Sequence, residues 1–389
     1  MISSIELFSG AGGLALGLCE AGFEHQALLE RNKDSCDTIV ANISLGFPGI
    51  QNWKVLRTDV RLVDYSNYAS DIQVVSGGPP CQPFSLGGKH KAHADNRDMF
   101  PEAVRAIREL RPQGFIFENV KGLIRKSFSS YFNYILLQLT YPEIVIREDS
   151  NWTEHLSLLE KHHTSGKSAG LEYNVVFRLL NAADYGVPQN RHRVVIVGFR
   201  SDLDVNWSFP APTHSKEALM YSKLVDGSYW KDHEIAAKNR PEVTELEREK
   251  VIRLFRKQEF NERWRTVRDA VKGLPDPQNH AASEYINHEF RSGARPYAGH
   301  SGSSMDEPSK TIKAGVHGVP GGENMLALDD GSLRYYTVRE SARIQTFPDN
   351  YFFCGSWTES MRQIGNAVPV RLAHIIGKSI AAKLKAGQI

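Results

Sequence analysis

Over roughly the first 200 residues, short apolar runs alternate with amphipathic stretches, and this alternation constrains the fold more than any other feature. Ser4–Phe8, His25–Glu30, Asp71–Ser76 (DIQVVS), Gly114–Glu118 (GFIFE), Glu172–Leu180 and Arg193–Phe199 read as strands. Leu14–Ala21, Asp34–Asn42 and Pro101–Leu110 read as helices between them, the last with proline in its first turn and Pro112 beyond its end. Strands separated by helices imply right-handed crossovers, hence an α/β fold with a mostly parallel sheet covered by helices on both faces. Ligands of such sheets bind beyond the carboxyl ends of the strands. The loops that follow the strands are therefore where chemistry is expected.

At 389 residues and 41% hydrophobic content the chain can bury a large core, which excludes a disordered or low-complexity polymer. It has room for two domains, or for one large domain with an insertion. The 47 basic and 45 acidic residues leave a net charge of +2, so a nucleic-acid partner would have to be met by local charge. Cys19, Cys36, Cys81 and Cys354 are far apart and form no CxxC pair, which argues against a disulfide framework or a structural zinc. The N-terminus has no signal-peptide pattern, and no apolar run approaches the ~20 residues of a membrane span. A soluble cytoplasmic protein without a bound metal is expected.

Beyond Arg200 the texture changes. Ser201–Asp306 has scattered aromatics, several prolines and one charged segment, Val243–Val271, that reads as helical. Arg248–Lys272 holds nine basic and four acidic residues around Trp264, either a solvated face or a phosphate-contacting one. Helical patterns return at Thr337–Thr346 and Val370–Lys385, and His162–Gly170 (HHTSGKSAG) reads as a flexible surface loop.

Four constellations lie in or beside strand-end loops. In ELFSGAGG (Glu6–Gly13) a strand runs through glycines into a helix, which suits either tight packing or close approach of a ligand. The spacing is not GxGxxG, but Glu30 lies about twenty residues on, where a ribose hydroxyl is bound in nucleotide folds. The two together favour an adenosine-containing ligand. Asp59 ends a third strand near the same crevice, or else marks a surface turn. In GGPPCQPFS (Gly77–Ser85) the two prolines restrict the backbone before Cys81, placing a thiol at a strand end as a candidate nucleophile. The other three cysteines read as inert. FENV (Phe117–Val120) puts Glu118 at a strand terminus, as an acid or hydrogen-bond partner or simply in a helix-start pair. In YGVPQNRHRV (Tyr185–Val194), Arg191 and Arg193 share a face of an extended segment. They suit an anionic or carbonyl-bearing substrate, though from spacing alone a salt-bridged strand edge is the simpler reading.

In this order the four motifs resemble those of the cytosine-5 DNA methyltransferases: FSGAG, PCQPFS, ENV and QNRHR. RESARIQTFPD (Arg339–Asp349) and GNAVPV (Gly365–Val370) complete the match, and the wide gap before RESARIQTFPD is where that family holds its target-recognition region. The resemblance covers residues 1 to about 200 and 335–389. It implies a Rossmann-like S-adenosylmethionine-dependent domain over 1–199 and 362–389, with a smaller recognition domain over 200–361. It implies that the Cys81 thiolate adds to carbon 6 of a cytosine flipped from duplex DNA, activating carbon 5 for methylation. Glu118 would bind the ring nitrogen 3 edge, and Arg193 with Arg191 the 2-oxo side. Phe8, Gly10, Gly12, Glu30, Asp59, Pro80 and Asn366 would surround S-adenosylmethionine. DNA contacts are implied for Ser85 and Lys89 in a closing loop and for Gln189, and the basic stretch adds Arg253, Arg256 and Lys257. The arrangement is that of a stand-alone modification enzyme beside a separate restriction endonuclease, for which a monomer suffices. One branch of the family modifies tRNA and carries a Cys-Phe-Thr signature in the recognition region, whereas residues 201–336 here contain no cysteine. The segment Ser127–Gly170 is longer than the core fold needs.

Overall fold

Seven strands build the main sheet: β1 (Ile2–Leu7), β2 (Phe23–Glu30), β3 (Val55–Arg57), β4 (Val74–Gly77), β5 (Gly114–Val120), β6 (Tyr173–Asn181) and β7 (His192–Arg200). Their order is β3-β2-β1-β4-β5-β7-β6, parallel from β3 through β5, with β7 antiparallel to β5. The helices α1 (Gly13–Glu20), α2 (Lys33–Ser44) and α3 (Phe100–Leu110) connect the parallel strands. Strand order runs outward from β1 in one direction and from β4 in the other, so the topological switch point lies between the carboxyl ends of β1 and β4. The glycine motif follows one of these strands and GPPC the other.

The computed structural model describes residues 1–68, 72–80, 98–166, 170–257, 262–296, 301–314 and 324–386. The chain divides into two compact units, Met1–Leu180 with His192–Phe209 and Ala373–Ile389, and Asn181–Arg191 with Pro210–Leu372. These limits differ from those expected: 181–191 and 362–372 belong to the second unit, and 200–209 to the first. The helix Val370–Ala386 crosses the last boundary.

In the first unit the central strands are buried on both faces, as expected of a parallel sheet. Ile5, Leu7, Ala27, Leu29, Val75, Phe115 and Phe117 pack with the apolar face of α3 in one cluster. Among the described residues, no helix is long and apolar enough to cross a membrane. A carboxylate of β1 lies inside this sheet. Glu6 is fully buried, accepts a hydrogen bond from Ser76 Oγ at 3.0 Å, and is pushed up to about 8 by desolvation. Because the folded state holds this proton after the unfolded chain has lost it, the group lowers stability as pH rises from the ordinary carboxylate range toward 8. Glu6→Gln is therefore expected to raise Tm at pH 8, with the gap closing toward pH 4.5, in paired melts across that range.

Residues 127–170 contribute two helices, α4 (Ser129–Thr140) and α5 (Trp152–Ser165). His162–Ser165 form the last turn of α5 and not a loop. An Asn151–Glu154 capping box starts α5, Gly166 ends it at φ 64°, and the His163 ring bonds Tyr141 at 2.8 Å. Residues 167–169 lie outside the described set. The His155 ring joins the two helices: Nε2 donates to the Ile144 carbonyl and Nδ1 accepts from Tyr134, both at 2.9 Å.

The second unit has little sheet. Two-residue strands pair His214–Ser215 with Glu262–Arg263, and a three-stranded sheet joins Ser303–Ser304, Met325–Ala327 and Leu333–Tyr335. Side-chain networks take a larger share. Tyr229 packs in a small core with Leu219 and Trp230, and its hydroxyl donates to Asp306 at 2.8 Å. Arg268 bonds Asp306 at 2.7 Å and Asp329 at 2.5 Å. The expected continuous helix over Val243–Val271 is broken. A helix spans Glu245–Phe255, a strand Glu262–Arg263, and a short helix Val267–Val271 starts at a Thr266–Asp269 capping box. That second start signal ends the helical run, and Arg263 is drawn inward onto Asp269 at 2.7 Å.

Candidate active site

After β1 the backbone turns through Phe8 (φ 56°), Gly10 (φ 53°) and Gly12 (φ 83°) into α1. A left-handed phenylalanine is uncommon and costly, and such strain gathers at ligand sites. A Cβ built on Gly10 would meet nothing within 4 Å, so the space beside this backbone is open. Glu30, at the end of β2, braces the turn: one oxygen accepts the Gly10 N–H at 2.9 Å and the other the Asn32 N–H at 2.7 Å. Each oxygen keeps a further lone pair for a hydroxyl donor. Asn32 in turn caps α2 through the Ser35 N–H. Asp59 caps the turn Val60–Leu62 and is held by Arg61 at 2.6 Å, which keeps it ionised with a pKa lowered to about 2. It therefore has the bonding of a surface turn, beside the end of β3.

On the other side of the switch point, β5 and β7 bring a carboxylate and a guanidinium together. Val120 pairs with Arg193 and Glu118 with Val195, so Glu118 and Arg193 sit diagonally on one face of the ladder. Arg193 Nε lies 2.6 Å from Glu118 Oε1, with side chains only 13% and 11% exposed. Glu118 also faces the loop after β4, where a Cβ on Gly78 would be 3.6 Å from Glu118 Oε2. Asn119 Nδ2 donates to the Pro79 carbonyl at 2.8 Å, and the Met99 N–H to the Pro80 carbonyl at 3.1 Å. Pro79 is thus tied to the strand that carries Glu118, and Pro80, the residue before Cys81, to the start of α3. Cys81, Ser85 and Lys89 lie outside the described residues. The sequence reading missed Asn119, although its place beside Glu118 in ENV was available as a signal.

Two expectations need correction. Arg191 does not share a substrate-facing role with Arg193: it is fully buried in the second unit, and its guanidinium donates to the carbonyls of Ile312, Gly365 and Ala367. Gln189 is not a DNA-facing side chain either. It is fully buried, donating to Gln345 Oε1 at 3.2 Å and accepting from the Ile312 N–H at 3.2 Å. Asn366 is exposed at the end of the helix Trp357–Asn366.

Of the basic stretch, Arg253, Arg256 and Lys257 are exposed, whereas Arg263 and Arg268 are largely buried in ion pairs. A pocket of about 480 Å³ that the sequence did not reveal lies within the second unit, lined by residues including His233, Arg263, Asp269 and Lys272. Its charges are matched internally: His233 and Arg263 both meet Asp269, at 3.0 and 2.7 Å. Among the described residues, no cluster of three or more histidine, cysteine or acidic side chains is arranged to hold a metal.

This strand order, with its crevice beside a glycine turn, is that of the S-adenosylmethionine-dependent methyltransferases, and the open turn and the spare lone pairs of Glu30 fit an adenosine-bearing group. The chain belongs to the C-5 cytosine-specific DNA methylase family, whose model matches residues 2–141 and 154–382. It is a DNA cytosine-5 methyltransferase that uses S-adenosylmethionine. Type II methyltransferase M.PspPI of Psychrobacter sp. (strain TA137) is 34% identical over 386 residues, 99% of this chain and 80% of that protein. Type II methyltransferase M.NgoMIV of Neisseria gonorrhoeae is 30% identical, covering 98% of each chain. The S. pombe Dnmt2 methyltransferase shares the fold at a TM-score of 0.57 and 17% identity, covering 100% of both chains.

Proposed function

We propose that the protein is the modification enzyme of a type II restriction–modification pair, methylating one cytosine within a short duplex DNA site in the cytoplasm, as a monomer, beside a separately acting endonuclease. The observation that carries the assignment of catalytic roles is the Glu118–Arg193 pair, held beside the loop that leads to Cys81. In this reading the Cys81 thiolate bonds to carbon 6 of the flipped cytosine. Glu118 holds the nitrogen 3 edge as charge develops there, and Arg193 holds Glu118 and meets the 2-oxo group. Phe8, Gly10, Gly12, Glu30, Asp59, Pro80 and Asn366 hold S-adenosylmethionine, which supplies the methyl group. Ser85 and Lys89 belong to a loop that closes over the site, and the second unit supplies target recognition.

The test is methyl transfer from labelled S-adenosylmethionine to unmethylated duplex DNA and, in parallel, to tRNA, with the products digested and identified by mass spectrometry. Label as 5-methyldeoxycytidine from DNA alone is expected; label in tRNA alone would replace this reading with the RNA one. Exposure of Arg253, Arg256 and Lys257 supports a phosphate-contacting role for that helix end. Charge reversal at all three is expected to weaken DNA binding and to flatten the slope of log affinity against log salt by about 0.9 per lost phosphate contact. An unchanged slope would return these residues to a solvated face.

A further inference from the structure

The corrected position of Arg191 suggests a role of its own. Its NH2 group reaches the carbonyls of Gly365 at 2.7 Å and Ala367 at 2.9 Å, the residues on either side of Asn366. NH1 reaches Ile312 at 3.2 Å. Gln345, also fully buried, donates to the carbonyls of Ile364 at 2.7 Å and Ala367 at 3.0 Å. Gln189 closes the network by bonding the Gln345 amide and the Ile312 N–H. Arg191 and Gln345 therefore donate to the carbonyls of Ile364, Gly365 and Ala367 at the end of the helix Trp357–Asn366, and the guanidinium lies where the helix dipole favours a cation. Close packing adds to the restraint, since a Cβ on Gly365 would sit 2.5 Å from the Ala314 nitrogen.

We infer that Arg191, Gln345 and Gln189 form a buried clamp that presents Asn366 to S-adenosylmethionine, making Arg191 a positioning residue for the cofactor and not a contact to cytosine. The inference rests on the cofactor role proposed above for Asn366. QNRHR then does two jobs: Gln189 and Arg191 set the GNAV turn, and Arg193 braces Glu118. Only a planar, multidentate donor can span three carbonyls, so lysine is a poor replacement.

The experiment compares Asn366→Ala, Arg191→Lys and Gln345→Leu, each confirmed as folded by circular dichroism. Calorimetric Kd for S-adenosylmethionine is measured on the DNA-free protein, then KM for cofactor and for DNA, and kcat. Asn366→Ala is expected to raise Kd about tenfold, the equivalent of one lost hydrogen bond. Arg191→Lys and Gln345→Leu are expected to raise Kd and cofactor KM similarly, with DNA KM and kcat at saturating cofactor little changed. Combining Arg191→Lys with Asn366→Ala should add little, because both act through one contact. If Asn366→Ala weakens binding and neither clamp variant does, the clamp is overturned and the cofactor role of Asn366 stands. If Asn366→Ala leaves Kd unmoved, that cofactor role itself fails and the inference with it. A fall in kcat for Arg191→Lys at unchanged cofactor Kd would return Arg191 to the substrate. Should the lysine variant not fold, Gln345→Leu decides alone.

Discussion

Cys81→Ala should abolish methyl transfer, by roughly four to six orders of magnitude, while leaving the affinity for duplex DNA nearly intact. Nothing else proposed for the site supplies a nucleophile, and without addition at carbon 6 the cytosine ring is too electron-poor at carbon 5 to attack a methyl sulfonium. The loop that delivers the thiol is anchored independently of it, through Asn119 to Pro79 and Met99 to Pro80. Losing the sulfur should therefore not release those anchors. Single-turnover methylation and a gel-shift titration on the same preparation separate the two effects. Retained methylation with lost binding would mean that Cys81 contacts DNA and does no chemistry.

Much of this arrangement was legible before the structure. The strands of the main sheet that carry the site fall within a few residues of the apolar runs that announced them. A strand buried on both faces must be continuously apolar, a local property. Glu30 and Glu118 were found because a parallel sheet delivers its strand ends to one edge. What stayed hidden is long-range. Arg191 and Arg193 are two residues apart and alike in type, yet the first meets carbonyls at Ile312, Gly365 and Ala367 while the second meets Glu118. No periodicity distinguishes such neighbours. The basic stretch misled for the same reason. Its helical pattern is real through Phe255, but whether a given arginine is solvated depends on acids such as Asp306 and Asp329, remote from it in sequence. His162–Ser165 read as a loop because their composition is polar, whereas the Asn151–Glu154 capping box that starts their helix lies upstream.

The Glu118–Arg193 pair is where a structural and a catalytic reading diverge most sharply, and a double-mutant cycle separates them. Both side chains are nearly buried, so Glu118→Ala leaves a guanidinium without its counter-charge and is expected to cost about 3–5 kcal/mol of stability. Arg193→Ala strands the carboxylate and should cost a similar amount. Removing both relieves each penalty, so the double variant should be more stable than the two losses predict when summed. If the pair only laced a strand edge, methylation would recover along with the fold. With Glu118 at the nitrogen 3 edge, activity in the double variant should remain at least about a hundredfold down, because the group that offsets charge in the transition state is gone. Glu118→Gln sharpens the contrast. It preserves shape and a hydrogen-bonding carbonyl toward Arg193 and should lose less stability than Glu118→Ala, yet it removes the negative charge and should lose most of its turnover. Thermal melts and single-turnover rates on all four variants decide the matter. Activity that tracks the folded fraction would make this a strand-edge salt bridge, and activity lost in a folded Glu118→Gln protein would make it the machinery that holds the cytosine.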